Sequence, residues 1–418
     1  MQKTFENSKK ARQRRGQPPL VKSAFTSKSM SKKSKIFVTS GGTGGHIIPA
    51  RCLALKLTKQ GFDVTFLGDT KYLSYIKEND GFGAKIISSS QLKKSPFFLL
   101  KAAIKITYGF AQSLAIFLLE RPKYVVAFGG YATFPVLAAA LITKTSIILH
   151  EQNSHLGKVN RIFAKYAKKI ALSFKETSGI PEAFLHKTFF TGNPIRPEIM
   201  RLAEESYKLP EIENTLENLN NKMGYDILLA SDFYENEEHS DLFKILVIGG
   251  SGGAKIFSEI LPKAFFNLSE EVKENIQVIA QCRNDLVLST FEQYKNFNIN
   301  IIIDSFFEDM PKLLRESHLV IARSGASSVF EFCAAKRPMI LIPFAAAADN
   351  HQEKNAHYLE NHGAAIVVRE ADFTINRIND LLKNIIFNKS ALEKMSAQAA
   401  SLAVLDATQN LVKLVEND

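Results

Sequence analysis

Apolar positions in this chain fall into short runs that alternate with longer amphipathic stretches, the pattern of parallel strands joined by helices. Strands are predicted at 35–39, 63–67 and 84–88, with helices at 46–60 and 71–79. The runs "YVVAFGGY", "SIILHEQN" and "KIALSF" follow, each ending in glycine or polar residues. The alternation lapses over 198–241, then restarts at "LFKILVIGGSGGAKIFSEILPKAF" as strand, glycine turn and helix. Further strands are predicted at 276–280, 299–303, 318–322, 339–343 and 365–368, and 390–416 reads as amphipathic helix. The expected fold class is α/β, with two similar doubly wound parallel sheets. Ligands in such sheets gather at the carboxyl ends of the strands.

The two halves open alike, with glycine turns beginning at Gly41 and Gly249. In "KIFVTSGGTGGHIIPA" four glycines and then His46 link a buried strand to a helix. A tight turn needs fewer glycines, whereas a bare backbone at a helix N-terminus suits an anion, usually phosphate. Neither turn fits Gly-x-Gly-x-x-Gly, because Ile47 and Lys255 stand where the third glycine belongs, and no Gly-x-x-x-x-Gly-Lys-Ser/Thr loop occurs. Both omissions argue against a dehydrogenase and a P-loop ATPase.

In "VIARSGASSVFEFCAAKRPMILIPF" a strand ends at Arg323, Ser324–Ser328 make a turn of small residues, and the following helix carries Glu331. Small residues admit close backbone approach, Ser hydroxyls and helix N–H groups suit phosphate, and a carboxylate can accept both hydroxyls of a ribose. That is a nucleotide-sugar site in outline. "AAAADNHQEKNA" sets Asp349, His351, Gln352 and Asn355 at another strand end, where polar side chains can read sugar hydroxyls.

Composition adds a compartment and a charge gradient. Three cysteines, far apart and odd in number, suggest no disulfide framework or Cys-x-x-Cys metal site and fit a reducing cytoplasm. The net charge of +11 divides into +7 over 1–29, +16 over 30–197, −9 over 198–241 and −3 thereafter. A basic first half suits an anionic membrane surface or a phosphorylated substrate. No aromatic-studded RNA-binding signature, zinc finger or helix-turn-helix supports nucleic acid. Residues 1–29 lack an apolar core and read as a disordered extension; "SKKSKIFVTSGG" after Met30 resembles a bacterial protein start, so Met30 is a candidate functional start.

"TSGGTGGHIIPA", "FGGYATFP", "LHEQNSHLGKVNR", "TGNPIRPE", "VIGGSGGAK", "RSGASSVFE" and "DNHQEKNA" together resemble, in order, the motif set of the MurG family, the N-acetylglucosaminyltransferases of peptidoglycan synthesis. The resemblance implies the GT-B fold, two Rossmann-like domains facing across a cleft. On it, 1–34 is a basic extension, 35–195 the acceptor and membrane-side domain, 196–243 a linker with an acidic insertion, and 244–397 the UDP-sugar domain. The last helix, about 398–418, crosses back to the first domain. It implies inverting transfer from UDP-N-acetylglucosamine to the C4 hydroxyl of undecaprenyl-diphospho-N-acetylmuramoyl-peptide, lipid I, giving lipid II.

Residue by residue, the resemblance makes His46 the candidate general base, a role suited to an ordinary histidine pKa of about 6.5, with Glu151 as rival base or acceptor-binding group. Thr43, Gly44 and Gly45 would lie near a diphosphate, Asn153 and Arg196 near the donor sugar and diphosphate, and Ser251 on a phosphate. Phe307 would bracket the uracil beside Phe306, with its backbone reading the base edge. Ala326, Ser327, Ser328, Val329, Phe330 and Glu331 would hold the nucleotide, with Glu331 on the ribose, and His351 and Gln352 would face the sugar. Gly252 and Lys255 depart from the commoner family pattern. No Asp-x-Asp motif occurs, so neither metal nor cofactor is expected, and protein dipoles and positive charge would steady the departing UDP. Expected partners are the donor, the lipid I acceptor, an anionic membrane surface on the cytoplasmic face and other cell-wall synthesis proteins. A related GT-B transferase with another lipid acceptor, and a silent nucleotide-sugar-binding scaffold, are the alternatives.

The most apolar stretch, Gln91 to Lys123, is flanked by Lys93, Lys94, Arg121 and Lys123. Its longest charge-free run, Ile106 to Leu119, is 14 residues, short of the roughly 20 that span a bilayer. It reads either as a buried helix pair or as an amphipathic surface resting on anionic lipid, and opposite faces can satisfy both.

Overall fold

Strands apolar on both faces must be covered on both faces, and the central strands here are of that kind. Ile36, Phe37 and Val38 are wholly buried, as are Val125, Val126 and Ala127 beside them. In the computed structural model, which describes residues 33–91, 96–210, 228–229, 242–250 and 253–417, such runs form two parallel sheets. The basic extension with Met30, most of the acidic insertion, and Ser251 with Gly252 lie outside the described residues.

The first sheet comprises Lys33–Thr39 (β1), Phe62–Gly68 (β2), Gly83–Ile86 (β3), Tyr124–Ala127 (β4), Ser146–Glu151 (β5), Lys169–Leu172 (β6) and Thr188–Phe190 (β7). Their order is β3-β2-β1-β4-β5-β6-β7. The second comprises Leu228–Leu229 (β8), Phe243–Ile248 (β9), Ile276–Gln281 (β10), Asn300–Asp304 (β11), Leu319–Ala322 (β12), Met339–Leu341 (β13) and Ala365–Val367 (β14). Their order is β14-β13-β12-β9-β10-β11-β8. In each sheet the order reverses beside the strand that precedes the glycine turn, β1 or β9, so both turns open at a switch point where ligands bind.

Seven helices carry the functional account: Gly44–Lys59 (α1), Pro96–Glu120 (α2), Thr133–Ile142 (α3), Ala326–Ala334 (α4), His351–Asn361 (α5), Lys389–Leu402 (α6) and Ala407–Glu416 (α7). The single helix predicted over 390–416 is α6 and α7, broken at 403–406. The break follows from packing. Leu392 and Met395 of α6 lie in the second half's core, whereas Leu411, Val412 and Val415 of α7 are buried among Ile36, Val38, Ala50 and Leu53 of the first. The helix predicted at 71–79 is two 3-10 turns, Thr70–Ser74 and Glu78–Asp80. Asp80 accepts from the Lys77 N–H and from Arg51 at 2.5 and 2.6 Å, which fixes a tight loop in place of a helix.

An apolar seam joins the halves. Phe174, Ile195, Ile199 and Leu202 share one core with Val329 and Phe330, and the Phe174 ring lies 4.7 Å from Phe330 and 4.9 Å from Tyr358. Among the described residues of Gln91–Lys123 the structure has one helix, α2, not a pair. Ala102, Ser113 and Phe117 are buried, while Phe97, Leu100, Ile104, Tyr108 and Leu119 are exposed, Leu119 to 84%. Counted with Lys101 and Lys105 inside it, Phe97–Glu120 is long and apolar enough to cross a membrane by length and composition. Its buried face packs along α3, and Phe117 meets the Phe37 ring edge-on at 4.9 Å.

Candidate functional site

The first glycine turn is shaped by close backbone contact. At Gly130, whose φ is +81°, a Cβ would sit 2.4 Å from the Gly41 carbonyl oxygen, so only glycine lets "FGGY" nest against the turn. The turn feeds α1, whose N-terminus has no side-chain cap at Thr43; the His46 and Ile47 N–H groups return to the Thr43 carbonyl. The bare first turn of a helix attracts an anion. Thr43 is exposed, Gly44 buried, and Gly45 and His46 half-buried.

His46 projects from that first turn toward the end of β5, where its Nδ1 lies 2.6 Å from Gln152 Oε1. Glu151, beside it, is buried and fully engaged. One oxygen accepts from the Asn153 N–H and Nδ2, each at 3.0 Å; the other accepts from the Gly157 N–H at 2.9 Å and Asn160 Nδ2 at 2.8 Å. Four donors on one carboxylate brace the loop after β5. With its acceptor positions taken, Glu151 is placed to hold the loop, not to take a proton from substrate.

The second half meets this edge through α4. Ser327 Oγ donates to the Gly45 carbonyl at 2.7 Å, bringing the first turns of α1 and α4 together. Glu331, buried one turn further along, receives two bonds from Arg196, 2.7 Å from Nε and 2.5 Å from the terminal nitrogen. Burial works to lower the Arg196 pKa, but the charge and hydrogen bonds of Glu331 outweigh it and raise it above the usual value. Asn355 of α5 joins the halves again: its Oδ1 accepts from the Ser154 N–H and Oγ, and its Nδ2 donates to Asn153 Oδ1 and the Ser324 carbonyl.

His46, Gly45, Asn153, Arg196, Ser327 and Glu331 therefore lie along the facing edges of the two halves, connected by these contacts. His351 stands at its side; its Nδ1 donates to the Ala348 carbonyl at 2.6 Å, and burial foremost lowers its pKa. Gln352 is turned toward its own loop, accepting from the Phe344 N–H at 3.0 Å. Phe307 departs from expectation. Its ring is buried in the core with Leu313, Leu314 and Phe330, so it cannot bracket a base, while Phe306 is 66% exposed. Among α4 residues Ser328 is half-buried, and Ala326, Val329 and Phe330 are buried. Sequence reasoning sets His150–Asn153 at the ligand-binding edge of the sheet but gives Gln152 and His150 no role of their own; the signal was four consecutive polar residues at a strand end.

A pocket of about 300 Å³ lies beside the start of α2, lined by Lys71, Ser89, Ser90, Gln91, Phe98, Lys101, Lys105 and Tyr131. Tyr131 donates to Asp69 at 2.6 Å and Lys71 to the Gly42 carbonyl at 3.1 Å, tying the pocket to the turn.

Comparison with known proteins gives this geometry a family. Residues 36–172 match the glycosyltransferase family 28 N-terminal domain and 244–411 the glycosyltransferase family 28 C-terminal domain. A protein of Caulobacter vibrioides named UDP-N-acetylglucosamine--N-acetylmuramyl-(pentapeptide) pyrophosphoryl-undecaprenol N-acetylglucosamine transferase is 34% identical over 380 residues, 91% of this chain and 97% of that one. Its namesake in Bartonella tribocorum is 32% identical over 388 residues, 93% and 94% of the two chains. Among solved structures, MurG of Acinetobacter baumannii superposes with a TM-score of 0.67 at 25% identity, over 92% of this chain and all of that one.

Proposed function

The chain belongs to glycosyltransferase family 28 and within it to the MurG family, and from that membership we infer that it moves N-acetylglucosamine from UDP-N-acetylglucosamine to lipid I, forming lipid II. The fold is accordingly GT-B. The observation that carries the reading is the meeting of two helix first turns across the cleft, one bearing His46 and the other leading to Glu331. Two positive helix ends brought together invite a diphosphate between them.

In the reaction, the acceptor C4 hydroxyl attacks the anomeric carbon as His46 accepts its proton. The bond from that carbon to the diphosphate oxygen breaks, its electron pair leaves with UDP, and attack from the opposite face inverts the centre. Thr43, Gly44 and Gly45 lie against diphosphate, and Ser251 takes a phosphate oxygen. Ala326–Phe330 wall the nucleotide, Ser327 and Ser328 offer hydroxyls, and Phe307 contributes its backbone only. Glu331 takes the ribose hydroxyls by leaving Arg196, whose freed guanidinium then faces the departing diphosphate. Asn153, His351 and Gln352 read the transferred sugar, and Glu151 braces Asn153.

The lysine-lined pocket suits the acceptor's diphosphate, with the exposed apolar face of α2 beside it for the polyprenyl chain and the anionic lipid around it. The packing of α2 along α3 supports a protein that rests on the cytoplasmic face of the membrane and does not cross it. Transfer of radiolabelled N-acetylglucosamine to a short-chain lipid I analogue tests the activity. Binding of the UDP-sugar with no transfer to this acceptor would remove the acceptor assignment and leave the fold. Sedimentation with anionic vesicles tests the surface: salt-sensitive binding supports it, and none counts against it.

A further inference from the structure

The contacts behind His46 form a relay whose proton positions can be read from both ends. Gln152 Nε2 faces the His150 backbone carbonyl at 3.0 Å. A carbonyl can only accept, so the atom facing it must be the amide nitrogen, and the orientation of Gln152 follows without any assumption about histidine. The other amide atom, Oε1, can only accept, and it lies 2.6 Å from His46 Nδ1. The proton of neutral His46 is therefore on Nδ1.

The far end agrees independently. Gln152 Nε2 also lies 2.8 Å from His150 Nδ1, which must then accept. His150 Nε2 carries the proton and donates to the Gly192 carbonyl at 3.2 Å, again a group that can only accept. Burial foremost holds the His150 pKa down at about 4, so it stays neutral and keeps this single arrangement near neutral pH. Gly192 is fixed in turn: its φ is +77°, and a Cβ there would come within 2.5 Å of Val404 Cβ in the segment joining α6 to α7.

We propose that Gln152 is a positioning residue that, anchored through His150 to Gly192, locks His46 in the Nδ1–H tautomer and leaves Nε2 as the lone-pair nitrogen presented to the acceptor hydroxyl. The proposal rests on the reading of His46 as general base. Its chemical logic is that a base must offer a lone pair and not a proton to the group it deprotonates, and a free imidazole ring can turn either nitrogen outward. The titratable groups around His46 are His150 on β5 and His351 on α5, both coupled to it, with Glu151 acting on His351 from the end of β5.

The test begins with the unaltered protein. Nitrogen-15 NMR of histidine-labelled full chain reports which ring nitrogen of His46, assigned with His46→Ala, is protonated above the imidazolium titration. Nδ1–H is expected, and Nε2–H would overturn the proposal whatever the variants do. Gln152→Leu should release the ring to a tautomer mixture and lower kcat about 10- to 100-fold with the KM for UDP-N-acetylglucosamine unchanged. Gln152→Glu keeps the acceptor and adds a negative charge that stabilises the imidazolium. The acid limb of its kcat profile should move up by about one pH unit or more, an effect a merely structural role would not produce. An unmoved limb together with an unchanged tautomer in Gln152→Leu would overturn the proposal while an inactive His46→Ala kept the base reading intact. Full turnover in His46→Ala would overturn the base reading instead, and with it the catalytic part of this one.

Discussion

The two halves repeat one design, strand, glycine turn and helix, and put it to different uses. At the carboxyl edge of the first sheet the side chains of His46, His150, Glu151, Gln152, Asn153 and Asn160 bond mainly to one another, each in a defined donor or acceptor role. At the edge of the second, Gly325–Ser328 present small residues at a helix start, and nothing lies within 4 Å of a Cβ at Gly250 or Gly325. The first edge is preorganised through side chains, as a proton-transfer centre requires. The second leaves room at its backbone, as a bound nucleotide requires. The difference teaches that one topology can be finished in two ways: the first edge fixes a connected set of buried polar side chains, while the second, though it buries Ser324, Ser327 and Glu331, keeps open space at Gly250 and Gly325.

The largest expected effect breaks the first edge. His46→Ala should lower kcat by about 10²- to 10⁴-fold, the usual span for general base catalysis, with UDP binding by titration unchanged. Next comes the second edge: Glu331→Gln should raise the KM for UDP-N-acetylglucosamine about tenfold or more and lower kcat far less. If Glu331→Gln lowered kcat alone, the division between the halves would fail.

How much of this contrast was legible beforehand depends on the range over which each contact acts. The strands were, because runs such as Ile36–Val38 and Val320–Ala322 are too apolar for anything but a sheet interior, and the glycine turns stood out by composition. The broken helix at 403–406 was not, since its cause lies in which half each segment covers. The Arg196–Glu331 pair spans 135 residues, so both were visible as site residues but not as each other's partner. Phe307 and Phe306 differ only in which side of the chain faces the core. Glu151 drew attention as a carboxylate, whereas its four donors, which decide its role, come from a loop whose path composition does not reveal.

A third expectation uses a histidine from each half. Burial lowers the pKa of His150 to about 4 and that of His318 to about 3, against an ordinary value of about 6.5. As pH falls below about 6.5 the unfolded chain takes up these protons before the folded one, so stability declines from there to about pH 4 for His150 and about pH 3 for His318. The loss is at most a few kcal/mol for each, from about 1.4 kcal/mol per pH unit. His318 Nδ1 accepts from the Lys244 N–H at 2.8 Å, remote from the cleft, so His318→Asn should flatten the acid dependence of urea unfolding and leave kcat unchanged. His150→Asn should flatten it too but also lower kcat. Equal turnover in the two variants would erase the distinction between a buried histidine that serves the site and one that serves only the core.

The smallest effect concerns the rim where the halves touch. Asp349 lies 3.4 Å from Arg161 and 3.8 Å from Lys158, whose side chains are 41% and 70% exposed. Ion pairs so open to water contribute little, because the attraction is screened and two long side chains must be ordered to make it. Asp349→Asn should therefore change unfolding free energy by no more than about 1 kcal/mol, and less in high salt. Turnover should stay within about twofold, since Asp349→Asn leaves Ser327, Asn355 and the Phe174 seam holding the halves together. A larger, salt-independent loss in thermal or urea melts would mean that closure depends on the rim, and the buried contacts would then lose their place as what brings the two edges into register.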